Sequence, residues 1–313
     1  MRLTKNVNEK VNECETKGGG MRRWLIVLLV AQSLWAQDYR ILGVLQTKFT
    51  LHDSFNEFSL GKTSLGIDGD IAKGFGYRFL ISLDKYFKYS AFDVYGRYRF
   101  RQGEIRFGQF KPPFSMERLI SFPKRDFIDN AIITRIVPAR DMGVGLFYKL
   151  KWAEINFALI NGEGLNKEEI NKFKDIIVRF VPRYRYIRAG FAIYYGKAGE
   201  DTAVPKERYN FQFEIKSPFT LRNEIIYTRD DETKGLGYYV SCGYRIRRFE
   251  PVIRYEYYDP DRENTGDSEK KLTFGFNYYI KGYNLRLQGN YILLEKGEKS
   301  WQTFTKILFQ IML

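Results

Sequence analysis

From Tyr39 onward, apolar and polar side chains alternate with a period of two, in segments of about ten residues broken by Gly, Pro, Asn, Asp and charged turns. The last segment is representative. Thr303, Thr305, Ile307, Phe309 and Ile311 share one face, and Gln302, Lys306 and Gln310 share the other. Likewise Leu272, Phe274, Phe276 and Tyr278 oppose Lys271, Thr273, Gly275 and Asn277, while Tyr283, Leu285, Leu287 and Tyr291 oppose Asn284, Arg286, Gln288 and Asn290. Each segment therefore predicts a strand with one apolar and one wet face. About sixteen are predicted, near 39–49, 57–69, 75–84, 88–100, 104–110, 143–150, 154–161, 175–182, 187–196, 208–217, 219–229, 234–244, 249–259, 269–280, 283–294 and 301–313. The even number suits an all-β, transmembrane antiparallel β-barrel.

The connections test that architecture independently. Short turns follow the even-numbered predicted strands: Arg101 to Gly103, Ser217-Pro218, Arg245 to Arg248, and Lys281-Gly282. The long connections 111–142, 162–174, 197–207 and 260–268 all follow odd-numbered ones. Outer-membrane barrels alternate short periplasmic turns with longer outer loops in this way, whereas a soluble sandwich or propeller has no reason to. The longest connection, Lys111 to Met142, is then the third outer loop. It carries Phe114, Met116, Leu119, Ile120, Phe122, Phe127, Ile132 and Ile133. A loop in solvent would be more polar, so this one is expected to fold into the lumen, which side chains alone do not fill in a barrel this wide.

Composition sharpens the class. The 313 residues include 23 Tyr and 26 Phe, yet mean hydropathy is −0.40 and net charge +14. No apolar run approaches the roughly 18 residues of a membrane-spanning helix. At the N-terminus, Met21-Arg22-Arg23, the apolar run Trp24 to Ala31 and Gln32 to Ala36 form a secretory signal peptide over 21–36, with Gln37 as the expected mature start. Residues 1–20 fit no signal peptide and read as a non-native extension ahead of a true start at Met21. The barrel domain is then 37–313, and loss of 1–36 leaves a charge of +11. Cys14 goes with that segment, so Cys242 stands alone and neither a disulfide within the chain nor a Cys-based metal cluster is expected.

Four stretches carry a family resemblance. Arg106-Phe107-Gly108-Gln109-Phe110-Lys111-Pro112-Pro113-Phe114-Ser115-Met116-Glu117 resembles the phosphate-selective porin O and P family, as do Arg140-Asp141-Met142-Gly143-Val144, Asn161-Gly162-Glu163-Gly164 and Gly275-Phe276-Asn277-Tyr278-Tyr279-Ile280. The resemblance spans about two thirds of the mature chain. It implies a sixteen-stranded barrel, usually a homotrimer, in the bacterial outer membrane, with the third loop in the lumen and Arg and Lys on wall and constriction for anion passage. Leu313 departs from the pattern, because such barrels commonly end in Phe.

An anion pore needs fixed cations facing its lumen, and Arg suits phosphate oxygens through its fork of donors. Alternation turns Arg97, Arg99 and Arg106 inward, while Val94, Tyr98, Ile105 and Phe107 face lipid. The plainer alternative pairs these arginines with Asp93 and Glu104. In and beside the loop, Lys111, Arg118, Lys124 and Arg125 complete the candidate selectivity set, with Arg118, Lys124 and Arg125 favoured for the constriction. Arg140 and Asp141 read as a structural clamp. Arg188, Arg222, Arg254, Arg286 and Lys306 also alternate inward, some as partners of Glu214, Glu224 and Glu256. The expected function is passive diffusion of small anions, with phosphate or polyphosphate as candidates. The other partners are outer-membrane lipid and lipopolysaccharide, and no cofactor is expected. A general or sugar-permeable porin is the alternative. A barrel hydrolase would need a base such as His52, the one histidine, beside Asp53 and Ser54; that role and nucleic-acid binding are both disfavoured.

Overall fold

The computed structural model describes residues 38–313 apart from 85, 200–203, 265 and 298, so the proposed extension and signal peptide lie outside the described residues. Seventeen strand segments form one sheet: β1 Asp38–His52, β2 Phe55–Leu60, β3 Thr63–Ala72, β4 Phe75–Leu83, β5 Tyr89–Phe100, β6 Gly103–Phe110, β7 Asp141–Lys149, β8 Ala153–Ile160, β9 Asp175–Tyr184, β10 Ile187–Ala198, β11 Val204–Lys216, β12 Phe219–Asp230, β13 Thr233–Tyr244, β14 Phe249–Asp259, β15 Glu269–Lys281, β16 Leu285–Lys296 and β17 Gln302–Met312.

Every strand pairing is antiparallel, and from β3 to β17 each joins successive strands. β1 closes the sheet on β17, from Val44 opposite Met312 to His52 opposite Phe304. β1 also pairs with both β2 and β3, over Thr47–His52 and Asp38–Val44 respectively. β2 and β3 are thus two halves of one staple of the wall, and the seventeen segments make a closed barrel of sixteen strands. The sequence predicts that strand as continuous over 57–69. It breaks at Gly61-Lys62, where the Gly61 N–H donates to the Gln46 carbonyl (2.8 Å) and the Lys62 N–H to Gln46 Oε1 (2.9 Å). Closure leaves no strand edge unpaired, as a wall in hydrocarbon requires.

The pleat sorts the side chains. Along β14, Pro251, Ile253 and Tyr255 are exposed and Val252, Arg254 and Glu256 buried. Outward rows such as Leu65, Phe211, Ile225, Ile253 and Phe309 are apolar and exposed on the isolated chain. So continuous an apolar belt requires lipid around it. The inward rows carry Gln46, Asp68, Arg97, Arg179, Glu224, Arg254, Arg286 and Gln310, all buried.

Between β6 and β7 the chain leaves the sheet for residues 111–140. A four-residue helix, α1 (Met116–Leu119), is capped by Ser115 Oγ, which accepts the Arg118 N–H (3.3 Å); 3-10 turns follow at Phe122–Lys124 and Ile132–Ile136. Phe110, Phe114, Met116, Ala131, Ile132, Ile133 and Val137 pack with Phe147, Ile160, Ile177, Ile226 and Tyr239 from the inward face of the wall. Gly237 on β13 makes room for this: a Cβ there would lie 2.6 Å from Ile133 Cγ2.

Candidate functional site

A non-helical segment has backbone N–H and C=O groups that its own fold does not satisfy. In residues 111–140 these groups find side chains on strands far round the wall. Glu224 on β12 accepts from the N–H of Met116 (2.9 Å) and of Glu117 (3.1 Å). Glu256 on β14 accepts from the Ile132 N–H (2.7 Å), and Asn290 on β16 from the Ile128 N–H (2.9 Å). Arg286 donates to the Arg125 carbonyl (2.8 Å), Arg254 to the Asp129 carbonyl (3.1 Å) and Gln310 to the Pro123 carbonyl (3.1 Å). Ion pairs Arg222–Asp126, Lys306–Asp129 and Arg254–Glu117 reinforce them. The segment leaves from β6 and is held by inward side chains of β12 to β17.

Beneath it, on the wall of β5 to β9, lies a cavity of about 390 Å³. Five cations, Arg99, Arg106, Lys111, Lys149 and Arg179, line it with two carboxylates, Glu104 and Glu154, and with Phe147, Leu119 and Asn156 among the remaining lining. Apart from Lys111, which follows β6, the cations come from inward positions of adjacent strands, so the pleat itself brings them together. Arg106 bonds Glu104 and stands over the Phe147 ring, 4.0 Å from its centroid. Arg179 reaches Glu154 at 3.2 Å, and Arg188 shares that carboxylate at 2.9 Å. Arg99 lies between Glu104 (3.6 Å) and Asp70 (3.1 Å).

The structure thus brings Arg99, Arg106 and Lys111 into one cavity and holds the other candidates elsewhere. Arg97 is 3% exposed and bound to Asp68 (2.9 Å), Asp70 (2.8 Å) and the Tyr77 carbonyl. The expectation that Asp93 would pair the arginines of β5 is corrected here: Asp93 pairs with Arg78 (3.2 Å) and Arg140 (3.0 Å). The reason is Gly76, opposite Arg97 in register. A Cβ at Gly76 would sit 2.4 Å from Asp70 Oδ1 and 2.9 Å from Arg97 Nη2, so its absence opens the path from β5 to β3.

Arg118 donates to the Thr134 carbonyl, Arg125 is buried and Lys124 is exposed. Burial lowers the Arg118 and Arg125 guanidinium groups to about 10, so both stay cationic at neutral pH. Lys111 donates to the carbonyls of Leu119 (3.5 Å) and Ile120 (3.0 Å); burial, then Arg140 and Arg125, push its ammonium well below the usual lysine range. The Arg140 and Asp141 side chains do clamp the segment's exit, Arg140 on Asp93 and Asp141 Oδ2 on the N–H groups of Gly162 and Gly164 (both 3.1 Å).

Sequence reasoning missed Lys149 and Arg179 as site residues, although both follow the inward alternation of their strands. It also missed Lys62, whose Nζ reaches Asn130 Oδ1 in the loop (3.3 Å). No periodicity announces Lys62, because the break in the strand is what aims it. His52 ends β1, bonds Ser54 Oγ (2.8 Å) and stacks on Phe304. Among the described residues no cluster of three or more His, Cys, Asp or Glu side chains is placed to hold a metal.

The closed sixteen-stranded wall, its apolar outward belt and its polar interior define an outer-membrane porin fold, which places the chain in the bacterial outer membrane. Its fold matches OmpF of Salmonella typhi, solved in complex with daunomycin (TM-score 0.68, 10% identity, covering 88% of this chain and 97% of that one). It also matches OprB of Pseudomonas putida (TM-score 0.66, 10% identity, 94% and 97%) and the trimer form of OmpT of Vibrio cholerae (TM-score 0.65, 10% identity, 88% and 99%). Residues 191–303 match the family model of the phosphate-selective porins O and P. Of the four resembling stretches in the sequence, Gly275 to Ile280 falls inside that match. An uncharacterized protein of Aquifex aeolicus (strain VF5) is 39% identical over 70 residues, 20% of this chain and 17% of its own length.

Proposed function

We propose that this barrel passes small anions by passive diffusion, with phosphate and polyphosphate among them, and that it works as a homotrimer in contact with outer-membrane lipid and lipopolysaccharide. The observation that carries the reading is the cavity under the loop, where five cations face two carboxylates. A narrow, low-dielectric passage screens fixed charge less than bulk salt does, so an excess of cations raises the local anion concentration. Arg99, Arg106 and Arg179 supply it at the wall, and Lys124, Arg118 and Arg125 at the loop, while Lys111 holds the carbonyls that shape α1. Diffusion needs no catalytic step and no cofactor. His52 is spent on a hairpin contact with Ser54.

Reversal potential under a KCl gradient in a planar bilayer tests this, followed by block with inorganic phosphate or pyrophosphate. Anion preference with block at lower concentration than sulfate is expected. A reversal potential near zero, without block, would leave a general, sugar-permeable pore.

A further inference from the structure

The two rims of the barrel carry opposite charge. The short turns at 73–74, 101–102, 150–152, 185–186, 217–218, 245–248 and 282–284 hold seven basic residues and no acidic one. On the opposite rim, the described residues of the connections other than the inward 111–140 segment include ten acidic side chains against six basic. Lipopolysaccharide phosphates would call for cations on the long-loop rim. Here the cations gather at the other end.

They are densest on one continuous arc, β9 to β14. Arg183 and Arg185 flank the β9–β10 turn, Lys216 precedes the β11–β12 turn, and Arg245, Arg247 and Arg248 fill the β13–β14 turn; all six are exposed. None of the six makes an ion pair with a described residue, in contrast to Arg97, Arg179, Arg222 and Arg254 on the inward face. The nearest carboxylates on those strands, Glu214 and Glu250, are buried and turned inward, Glu214 to Arg222 and Glu250 to Asn277 and Tyr279.

On the same arc the lipid-facing rows end in exposed aromatics: Tyr184, Phe219, Tyr244 and Phe249. Aromatic rings of this kind mark the depth at which hydrocarbon gives way to headgroups. The Arg185 guanidinium lies 5.3 Å from the Tyr184 ring centroid, so cation and interfacial ring share one level. Arg183, Lys216 and Arg245 continue the inward rows of their strands, Arg245 standing 4.0 Å from the centroid of the buried Tyr279 ring, and so face the pore mouth. Arg185, packed on outward Tyr184, and the exposed Arg247 and Arg248 of the β13–β14 turn are the cations that meet lipid phosphate.

We propose that the β9–β14 arc of the short-turn rim binds anionic phospholipid headgroups of the periplasmic leaflet. Basic residues close to an anionic surface each add to its attraction, and the effect falls away within a Debye length. The site therefore selects by charge, and salt weakens it.

The test uses the folded protein in phosphatidylcholine vesicles containing one fifth phosphatidylglycerol, with spin-labelled phosphatidylglycerol or phosphatidylcholine reporting lipid immobilised at the wall. The wild type is expected to enrich phosphatidylglycerol about threefold, and 1 M NaCl is expected to abolish most of that. Arg247→Asn/Arg248→Ser should bring enrichment close to one. Asn is chosen at 247 because Arg247 has φ +55°, a left-handed conformation that Asn tolerates. Arg185→Asn, in another turn of the arc and likewise at a left-handed φ of +51°, should lower enrichment independently, so a misfolded double variant does not decide the matter. Adding inorganic phosphate at constant ionic strength should leave enrichment unchanged; displacement by phosphate, but not by chloride, would make this a free-anion site and overturn the lipid assignment. Equal immobilisation of both lipids by the wild type, or unchanged enrichment in both variants, would also overturn it. Reversal potential should be unaltered in these variants, since none of the residues lines the cavity, so the lipid proposal and the anion-pore reading fail separately.

Discussion

The Glu224 carboxylate on β12 accepts the backbone N–H of Met116, 108 positions earlier in the chain, at 2.9 Å, and its second oxygen accepts the N–H of Glu117 at 3.1 Å. Asn210 donates to the same group at 2.6 Å, so a fully buried carboxylate is satisfied largely by donors without charge. Glu256 repeats the device with the N–H of Ile132, beside Arg254 (3.0 Å) and Lys271 (2.8 Å). Acidic groups on the far wall thus act as acceptors for the backbone of an irregular loop.

Glu224→Gln should loosen that attachment while leaving the barrel closed. An amide offers one acceptor oxygen where the carboxylate offers two, so one of two buried N–H groups is left unpaired, at a cost of about 1–3 kcal/mol. The strand ladder is untouched, and heat-modifiable migration on gels should persist. Single-channel recordings should show higher conductance and more open-state noise than the wild type. A variant with wild-type conductance and noise would mean that Glu224 does not hold the loop.

Ser121, exposed between α1 and the following 3-10 turn, gives a direct test of where the loop lies in the membrane-embedded protein. In a Cys242→Ser background, Ser121→Cys should react with small methanethiosulfonate reagents, with a drop in current, and resist a bulky polyethylene-glycol maleimide. Equal labelling by both reagents would place the loop outside the pore.

Most of the barrel was legible because period-two alternation and turn chemistry act locally. The predicted segment 249–259 coincides with β14, and most other predicted ends fall within two or three residues of the observed ones. What alternation does not encode is partner choice between strands. It turned Arg97 inward correctly, but a missing side chain at Gly76 sends its guanidinium to Asp68 and Asp70. Nor does it encode a break inside a strand, so Lys62 stayed hidden. The apolar content of 111–142 indicated an inward loop; that Glu224, Glu256 and Asn290 would receive its N–H groups depends on contacts more than 100 residues apart.

Gly108, in the stretch that carries the family resemblance, has φ +123°, and a Cβ there would meet the Val94 carbonyl oxygen at 2.3 Å. Gly108→Ala therefore combines a left-handed backbone that Ala resists with a steric block on the β5–β6 ladder, costing about 2 kcal/mol or more. The neighbouring Gln109 side chain, which spans Ala91, Phe92 and Asn166, would be displaced with it. The temperature at which the compact gel species is lost should fall clearly below that of the wild type. An unchanged transition would show that this end of β6 adapts without penalty.

Charge and stability should separate among the arginines of the wall. Arg97→Gln removes the closest partner of Asp68 and leaves the buried Tyr77 and Gly69 carbonyls short of a donor. Asp68 keeps Arg78 (3.4 Å) and Arg40 (3.6 Å), so the cost should be about 1–3 kcal/mol, visible as a lower denaturant midpoint, with little change in the chloride-to-potassium permeability ratio of the channels that do form. Arg106→Gln/Arg179→Gln should do the reverse. Their removal leaves Glu104 with Arg99 (3.6 Å) and Glu154 with Arg188 (2.9 Å), so neither carboxylate is stranded and the barrel should keep its midpoint. Two fixed charges are lost from the cavity, however, and anion preference should fall. Lys124→Glu, an exposed change of two charge units on the loop, measures the loop's share by the same reversal potential. If Lys124→Glu moved that potential and Arg106→Gln/Arg179→Gln did not, selectivity would belong to the loop and the cavity assignment would be wrong.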